Sequence, residues 1–75
     1  MKYTYNNISE ERLASGKQKV RDSGGTFYKD GSFEVSGVEG NYRYEDGSLT
    51  ITITDKPWLA SWGMIKDKLN AFFSR

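Results

Sequence analysis

The N-terminal third of the chain predicts one short strand followed by a helix. Tyrosine alternates with polar side chains at residues 2–5, which is typical of a strand, and we expect this strand to lie at a sheet edge. A helix is expected next, with Asn7 or Ser9 as its N-terminal cap and the Ser-Gly-Gly sequence at 23–25 as its stop. Its apolar stripe is thin and Gly16 lowers its propensity by about 1 kcal/mol, so we expect it to dock loosely.

Residues 26–54 predict an antiparallel meander, because three turn signals separate runs in which apolar and polar residues alternate. The Asp-Gly pair at 46–47 fits a two-residue type I′ turn, which keeps the large apolar side chains of both flanking strands on one face. At 29–31 a three-residue loop with a left-handed glycine is favoured, because it sets Phe27 opposite Phe33.

The third turn, at residues 38–41, leaves the strand register open. A loop centred on residues 38–39 pairs Val35 with Tyr42, and a loop centred on residues 39–40 pairs Val35 with Tyr44. Both registers place the same side chains on the apolar face, namely Phe27, Phe33, Val35, Tyr42, Tyr44, Leu49, Ile51 and Ile53. The serine, threonine and charged residues between them predict a solvated opposite face.

The C-terminal residues predict an amphipathic helix that covers the apolar face of the sheet. Thr54 or Asp55 is available as its cap, and Pro57 suits the first helical position, which needs no backbone N–H donor. The apolar stripe of this helix contains Trp58, Trp62, Ile65, Leu69, Phe72 and Phe73. The predicted fold is therefore one small α+β domain over residues 1–75: an antiparallel β-meander of three to five strands, backed by this C-terminal helix, with a shorter N-terminal helix.

Composition restricts the chemistry available to the chain. Its 75 residues include no histidine and no cysteine, which removes the commonest general base, the commonest metal ligand and every thiol nucleophile. We therefore expect no enzyme, with no catalytic residue, no metal site and no cofactor. A formal net charge of +1 argues against strong attraction to nucleic acid. The sequence has no apolar run typical of a membrane span or a signal peptide, so the cytoplasm is the expected compartment.

Several motifs that resemble functional sites are better explained by turns or by the core. The Asp-Gly pairs at 30–31 and 46–47 lack the further oxygen ligands of a calcium loop, and the glycines at 37–40 flank a hairpin rather than a helix. Glu34 and Glu45 would make a carboxylate pair only if their strands were neighbours, and a solvated sheet face is the usual setting of such residues. The meander aromatics share the apolar face, so we expect core packing rather than base stacking.

One group of residues on the last helix is a candidate contact surface. Leu59, Gly63 and Met64 lie outside the core stripe, and Gly63 lowers the helix propensity by about 1 kcal/mol on the exposed side. Methionine and small residues suit close, adaptable packing against a partner protein or a lipid-like surface. The alternative is that Leu59 closes the edge of the core and that Met64 is an isolated surface residue.

A second group of residues is a candidate basic edge near the same helix. It consists of Lys56, Lys66 and Lys68 with Arg75, and Asp55 and Asp67 interrupt it. A solvated helix face is the competing interpretation. If the edge forms, it offers a small site for phosphate groups, and Arg43 on the sheet would extend it.

Three segments lie in the stretch from residue 33 to residue 73: FEVSGVEG at 33–40, LTITITDKPWL at 49–59 and IKDKLNAFF at 65–73. This stretch, about half of the chain, resembles the small polyhydroxyalkanoic-acid system protein family of bacteria. It implies a strand, a helix, a meander and a terminal amphipathic helix, and it implies no catalytic residues. The first functional hypothesis is accordingly a non-enzymatic bacterial accessory protein that binds a granule surface or a partner protein. The alternative is a nucleic-acid-binding or phage-type regulatory module that uses the basic edge.

Overall fold

Five antiparallel strands and two helices make up the computed structural model, which describes residues 1–73. The elements are β1 (Lys2–Tyr5), α1 (Glu10–Asp22), β2 (Thr26–Phe27), β3 (Ser32–Val35), β4 (Val38–Glu45), β5 (Ser48–Asp55) and α2 (Trp62–Phe73). The strands form one sheet in the order β1-β5-β4-β3-β2, and both helices contribute side chains to the core on its apolar face. The predicted α+β class is confirmed.

The first strand forms one edge of the sheet and pairs with the last strand. β1 pairs with β5 so that Tyr3 lies opposite Ile51 and Tyr5 opposite Leu49, which confirms that β1 is a short edge strand. Because β2 lies at the other edge, α1 must cross the apolar face to connect them. This crossing brings the N-terminal helix against the C-terminal one.

Two of the three predicted turns are confirmed. Asp46 and Gly47 both have positive φ angles, of 50° and 80°, as a type I′ turn requires, and Glu45 lies opposite Ser48. In the β2–β3 hairpin, Phe27 lies opposite Phe33, and the glycine of the three-residue loop has a φ of 88°.

The third turn lies two or three residues earlier than the two predicted loop centres, so both registers considered for Val35 are wrong. It is formed by Ser36 and Gly37, with φ angles of 53° and 81°, and it pairs Val35 with Val38. The Glu34 carboxylate accepts a hydrogen bond of 2.8 Å from the Gly37 amide, which stabilises this turn. Gly40 belongs to β4 instead, where the absence of a Cβ permits close contact with the backbone of β5.

The N-terminal helix packs closely rather than loosely. Ser9 is its cap, since its side-chain oxygen accepts a hydrogen bond from the Arg12 amide. Gly16 is buried against Phe73, and a Cβ at this position would overlap the aromatic ring. Lys17 adds a contact with the sheet, because its ammonium donates a hydrogen bond of 2.8 Å to the hydroxyl of Tyr42.

The C-terminal helix begins at Trp62, five residues later than Pro57, so the prediction of its start is wrong. Ser61 is the residue before it, and the Ser61 side-chain oxygen accepts a hydrogen bond from the Met64 amide. Over the described residues, α1 has 13 residues and α2 has 12. Trp58 is consequently 86% exposed and Trp62 39% exposed, so neither belongs to the buried stripe.

The core lies between the helices and the apolar face of the sheet. The buried apolar residues are Ile8, Val20, Phe33, Leu49, Ile51, Ile53, Ile65, Leu69 and Phe73. The other side chains predicted for this face are half-buried against that cluster, namely Phe27, Val35, Tyr42 and Tyr44. The expectation that the meander aromatics pack in the core is therefore confirmed.

Candidate functional site

The turn before α2 and the first turn of α2 carry strongly exposed apolar side chains, which we call the apolar patch: Trp58, Leu59 and Met64. Their exposed fractions are 86%, 74% and 60%. Isolated exposed apolar residues are common, but three within seven positions, one of them tryptophan, are unusual for a surface that contacts only water. The hydrophobic pattern predicts such a surface at Leu59 and Met64, but it places Trp58 in the core stripe.

The turn that carries Trp58 and Leu59 is held by hydrogen bonds at its base. The Ala60 amide donates to the Pro57 carbonyl at 3.0 Å, which closes a four-residue turn with Trp58 and Leu59 at its centre. The Lys56 ammonium donates to the Ala60 carbonyl at 2.6 Å and lies 5.5 Å from the centre of the Trp62 ring. The two most exposed apolar side chains thus project from a braced turn.

Gly63 lies on the first turn of α2 and is exposed. A Cβ at this position would meet only the side-chain oxygen of Ser61, at 3.9 Å. The backbone beside Met64 is therefore open to close approach from outside. Its assignment to a contact surface stays a prediction, as do those of Leu59 and Met64.

An apolar cavity of about 190 Å³ adjoins the patch between α2 and the β3–β4 hairpin. Apolar side chains form most of its wall, among them Phe33, Val38, Met64 and Phe72. Three polar residues also line it, Ser23, Ser36 and Lys68. The hydrophobic pattern does not predict this cavity, because the cavity depends on the register that the Ser36-Gly37 turn gives to β4. The signal available was Val38, an apolar residue directly after a Ser-Gly pair.

The structure does not bring the predicted basic edge together. Lys56 is half-buried and its ammonium is engaged within the turn. Lys66 and Lys68 are both exposed, but residues two apart on a helix point to different sides, so they do not form one surface. Arg43 forms an ion pair of 3.0 Å with Glu45 on the exposed sheet face, and Arg75 lies outside the described residues.

The carboxylate pair considered for Glu34 and Glu45 does not form. Glu34 lies opposite Glu39, and Glu45 is six residues further along the same strand, about 20 Å away at the rise of a β-strand. Within residues 1–73, no group of three or more histidine, cysteine, aspartate or glutamate side chains is arranged to hold a metal ion.

Comparisons with protein-family models, with curated proteins and with solved structures found no match for this chain. Neither helix in the described part of the chain is long and apolar enough to cross a membrane.

Proposed function

We propose that this chain is a non-enzymatic bacterial accessory protein that attaches reversibly to an apolar surface through Trp58, Leu59 and Met64. The observation that carries the proposal is the exposure of Trp58 and Leu59 at the tip of a turn braced by Lys56. Because the base of the turn is already fixed, insertion of the tip costs little further ordering. The resemblance to the polyhydroxyalkanoic-acid system proteins is the reason for naming a polyester granule in the bacterial cytoplasm as the surface.

A deformable surface suits this turn better than a folded protein partner does. Two adjacent side chains on a convex tip penetrate a lipid or polymer layer, and tryptophan favours such boundaries because its ring is apolar and its N–H is polar. A protein hot spot, by contrast, lies at the centre of a well-packed area surrounded by contacts that exclude water.

The size of the patch limits the strength of attachment. Burial of three such side chains contributes about 5 kcal/mol in total, since their exposed parts each contribute roughly 1.5–2 kcal/mol. This corresponds to a dissociation constant on the order of 0.1–1 mM, comparable to the marginal anchoring by one acyl chain. We therefore propose reversible rather than permanent attachment.

Sedimentation of the purified protein with polyhydroxybutyrate particles tests the proposal. We expect the parent to sediment with the particles and Leu59→Ser to bind roughly tenfold more weakly, because the variant loses most of one buried side chain. Tyr28→Ser is the matched control, since Tyr28 is 54% exposed on the β2–β3 loop outside the patch, and it should bind like the parent. In a Trp62→Phe background, the emission of Trp58 should shift to shorter wavelength on binding.

Two outcomes would refute this function. The parent failing to sediment with the particles is one, and it would favour a folded protein as the partner. Equal binding by the parent and Leu59→Ser is the other, because it would remove the patch from the interaction. The nucleic-acid-binding alternative is not proposed, since Lys56 is engaged and Lys66 and Lys68 face different sides of α2.

A further inference from the structure

The cavity beside α2 combines a buried apolar floor with an opening to solvent. Phe33, Ile53, Ile65 and Leu69 line it, and each is only 5% exposed, so the cavity reaches the side chains of the core itself. Cavities of roughly 150 Å³ lined by leucine, isoleucine and phenylalanine bind molecules of the size of benzene. About 190 Å³ is therefore enough for a short aliphatic chain or one ring.

The polar side chains of the cavity define the other half of a ligand. Lys68 is exposed at its rim, and within residues 1–73 its ammonium has neither a hydrogen-bond nor an ion-pair partner. Ser36 supplies a hydroxyl from the β3–β4 turn, and Ser23 supplies another at the C-terminal cap of α1. An anion is favoured at Lys68 rather than at Ser23, because the C-terminal end of a helix is electronegative.

We propose that this cavity binds a short-chain monocarboxylic acid, with the aliphatic chain against Phe33 and Leu69 and the carboxylate at the Lys68 ammonium. One cation at the rim matches one negative charge, and the apolar wall matches a chain that carries no further polar group. Met64 borders both the cavity and the apolar patch, whereas Trp58 and Leu59 do not line the cavity, so the site does not rest on the attachment of these two residues to a granule.

The series butyrate, hexanoate, octanoate and decanoate, titrated into the labelled protein and followed by amide NMR shifts, tests the site. Each methylene that enters the cavity should tighten binding roughly fourfold, and the gain should stop once the chain fills the available volume. The shifts should be confined to the segments that line the cavity, which are residues 33–38 and 60–72 with the surroundings of Ser23 and Ile53. A steady gain through the whole series to decanoate, with shifts centred on Trp58 and Leu59, would show adsorption to the patch and would overturn the proposal.

Two lysine variants test the carboxylate contact. Lys68→Gln should weaken octanoate binding roughly two- to fivefold, the range expected for one exposed ion pair, and should leave hexanol binding unchanged. Lys66→Gln is the matched control, with the same change on another side of α2, and should bind octanoate like the parent. Equal losses in the two variants, or no saturable shift with any acid, would overturn the site. Leu59→Ser should bind octanoate normally, so failure of granule attachment and failure of this site are distinguishable.

Discussion

Individual glycines have opposite roles on the two helices. Gly16 is buried where α1 meets α2, and a Cβ there would overlap the Phe73 ring and lie 2.8 Å from the Phe72 carbonyl oxygen. Gly63 is exposed, with nothing nearer than 3.9 Å to such a Cβ. The absence of a side chain is thus required for packing at Gly16, whereas at Gly63 it has no packing reason within the described structure.

This contrast predicts opposite effects of one substitution. Gly16→Ala should destabilise the protein by about 1–3 kcal/mol, because the overlap with Phe73 outweighs the gain in helix propensity. Gly63→Ala should stabilise it by about 0.5–1 kcal/mol through helix propensity alone. Urea unfolding of the two variants and the parent measures both. Stabilisation by Gly16→Ala would mean that α1 does not pack against Phe73.

The Asp30 carboxylate connects stability to acidic pH. The hydroxyl and amide of Ser32 donate hydrogen bonds to the Asp30 carboxylate, which lowers the pKa of Asp30 below its ordinary value. The stability from these bonds is fully present above the ordinary aspartate pKa and is lost as the pH falls through the lowered one. Because Asp30 is fully exposed, the loss should be small, and Asp30→Asn should remove it.

Unfolding midpoints of the parent and Asp30→Asn between pH 2 and 7.5 test this dependence. We expect both curves to be nearly flat from pH 5.5 to 7.5, since the chain has no histidine and no cysteine, and to differ from each other only in the acidic range. A steep change in the unfolding midpoint of the parent near pH 6.5 would contradict this expectation, because it would require a titrating group with a strongly shifted pKa.

At the scale of elements, local turn chemistry was predictable and side-chain contacts across loops were not. The Asp-Gly turn at 46–47 follows from two adjacent residues that tolerate positive φ, and the parity of the strands follows from that turn. Serine rarely adopts such a φ, and the Glu34 carboxylate stabilises the turn at Ser36. The pattern of residue types therefore does not predict the register of the third turn. The start of α2 was missed because the Lys56 ammonium binds the Ala60 carbonyl and stabilises a turn instead of a first helical turn. The cavity depends on that register and that helix start together, and therefore lay beyond the sequence pattern.

The corrected position of α2 changes which of its residues stabilise the fold. Leu69 is 5% exposed, so Leu69→Ala should cost about 2–5 kcal/mol through the lost contacts and the cavity left behind. Trp62 is 39% exposed, so Trp62→Ala should cost less than Leu69→Ala despite the larger side chain. Lys66→Ala on the exposed side should change stability by no more than about 0.5 kcal/mol. Chemical denaturation ranks the three, and a larger loss for Trp62→Ala would return Trp62 to the core.

At the scale of the whole molecule, the sheet has one covered face and one open face. The helices cover the apolar face, whereas Thr50, Thr52 and Arg43 lie on the solvated one. The edge strand β1 joins the N-terminus to β5, and the Met1 carbonyl accepts a hydrogen bond of 2.9 Å from the Ile53 amide. Within the described residues, the three most exposed large apolar side chains belong to the apolar patch. The formal net charge of the chain is only +1.

Low net charge and an apolar patch together favour weak self-association at high protein concentration, because little charge repulsion opposes contact between patches. Met64→Lys should abolish this association, since it places an ammonium within the patch. Its melting temperature should stay close to that of the parent, because Met64 is 60% exposed and both residues are good helix formers. Ser15→Lys, on the exposed surface of α1, adds the same charge outside the patch and should associate almost like the parent. Sedimentation over a range of concentrations, with thermal unfolding of each variant, separates the explanations. Equal effects of the two added lysines on association would assign the association to net charge. Unfolding of the protein by Met64→Lys would assign Met64 to the core.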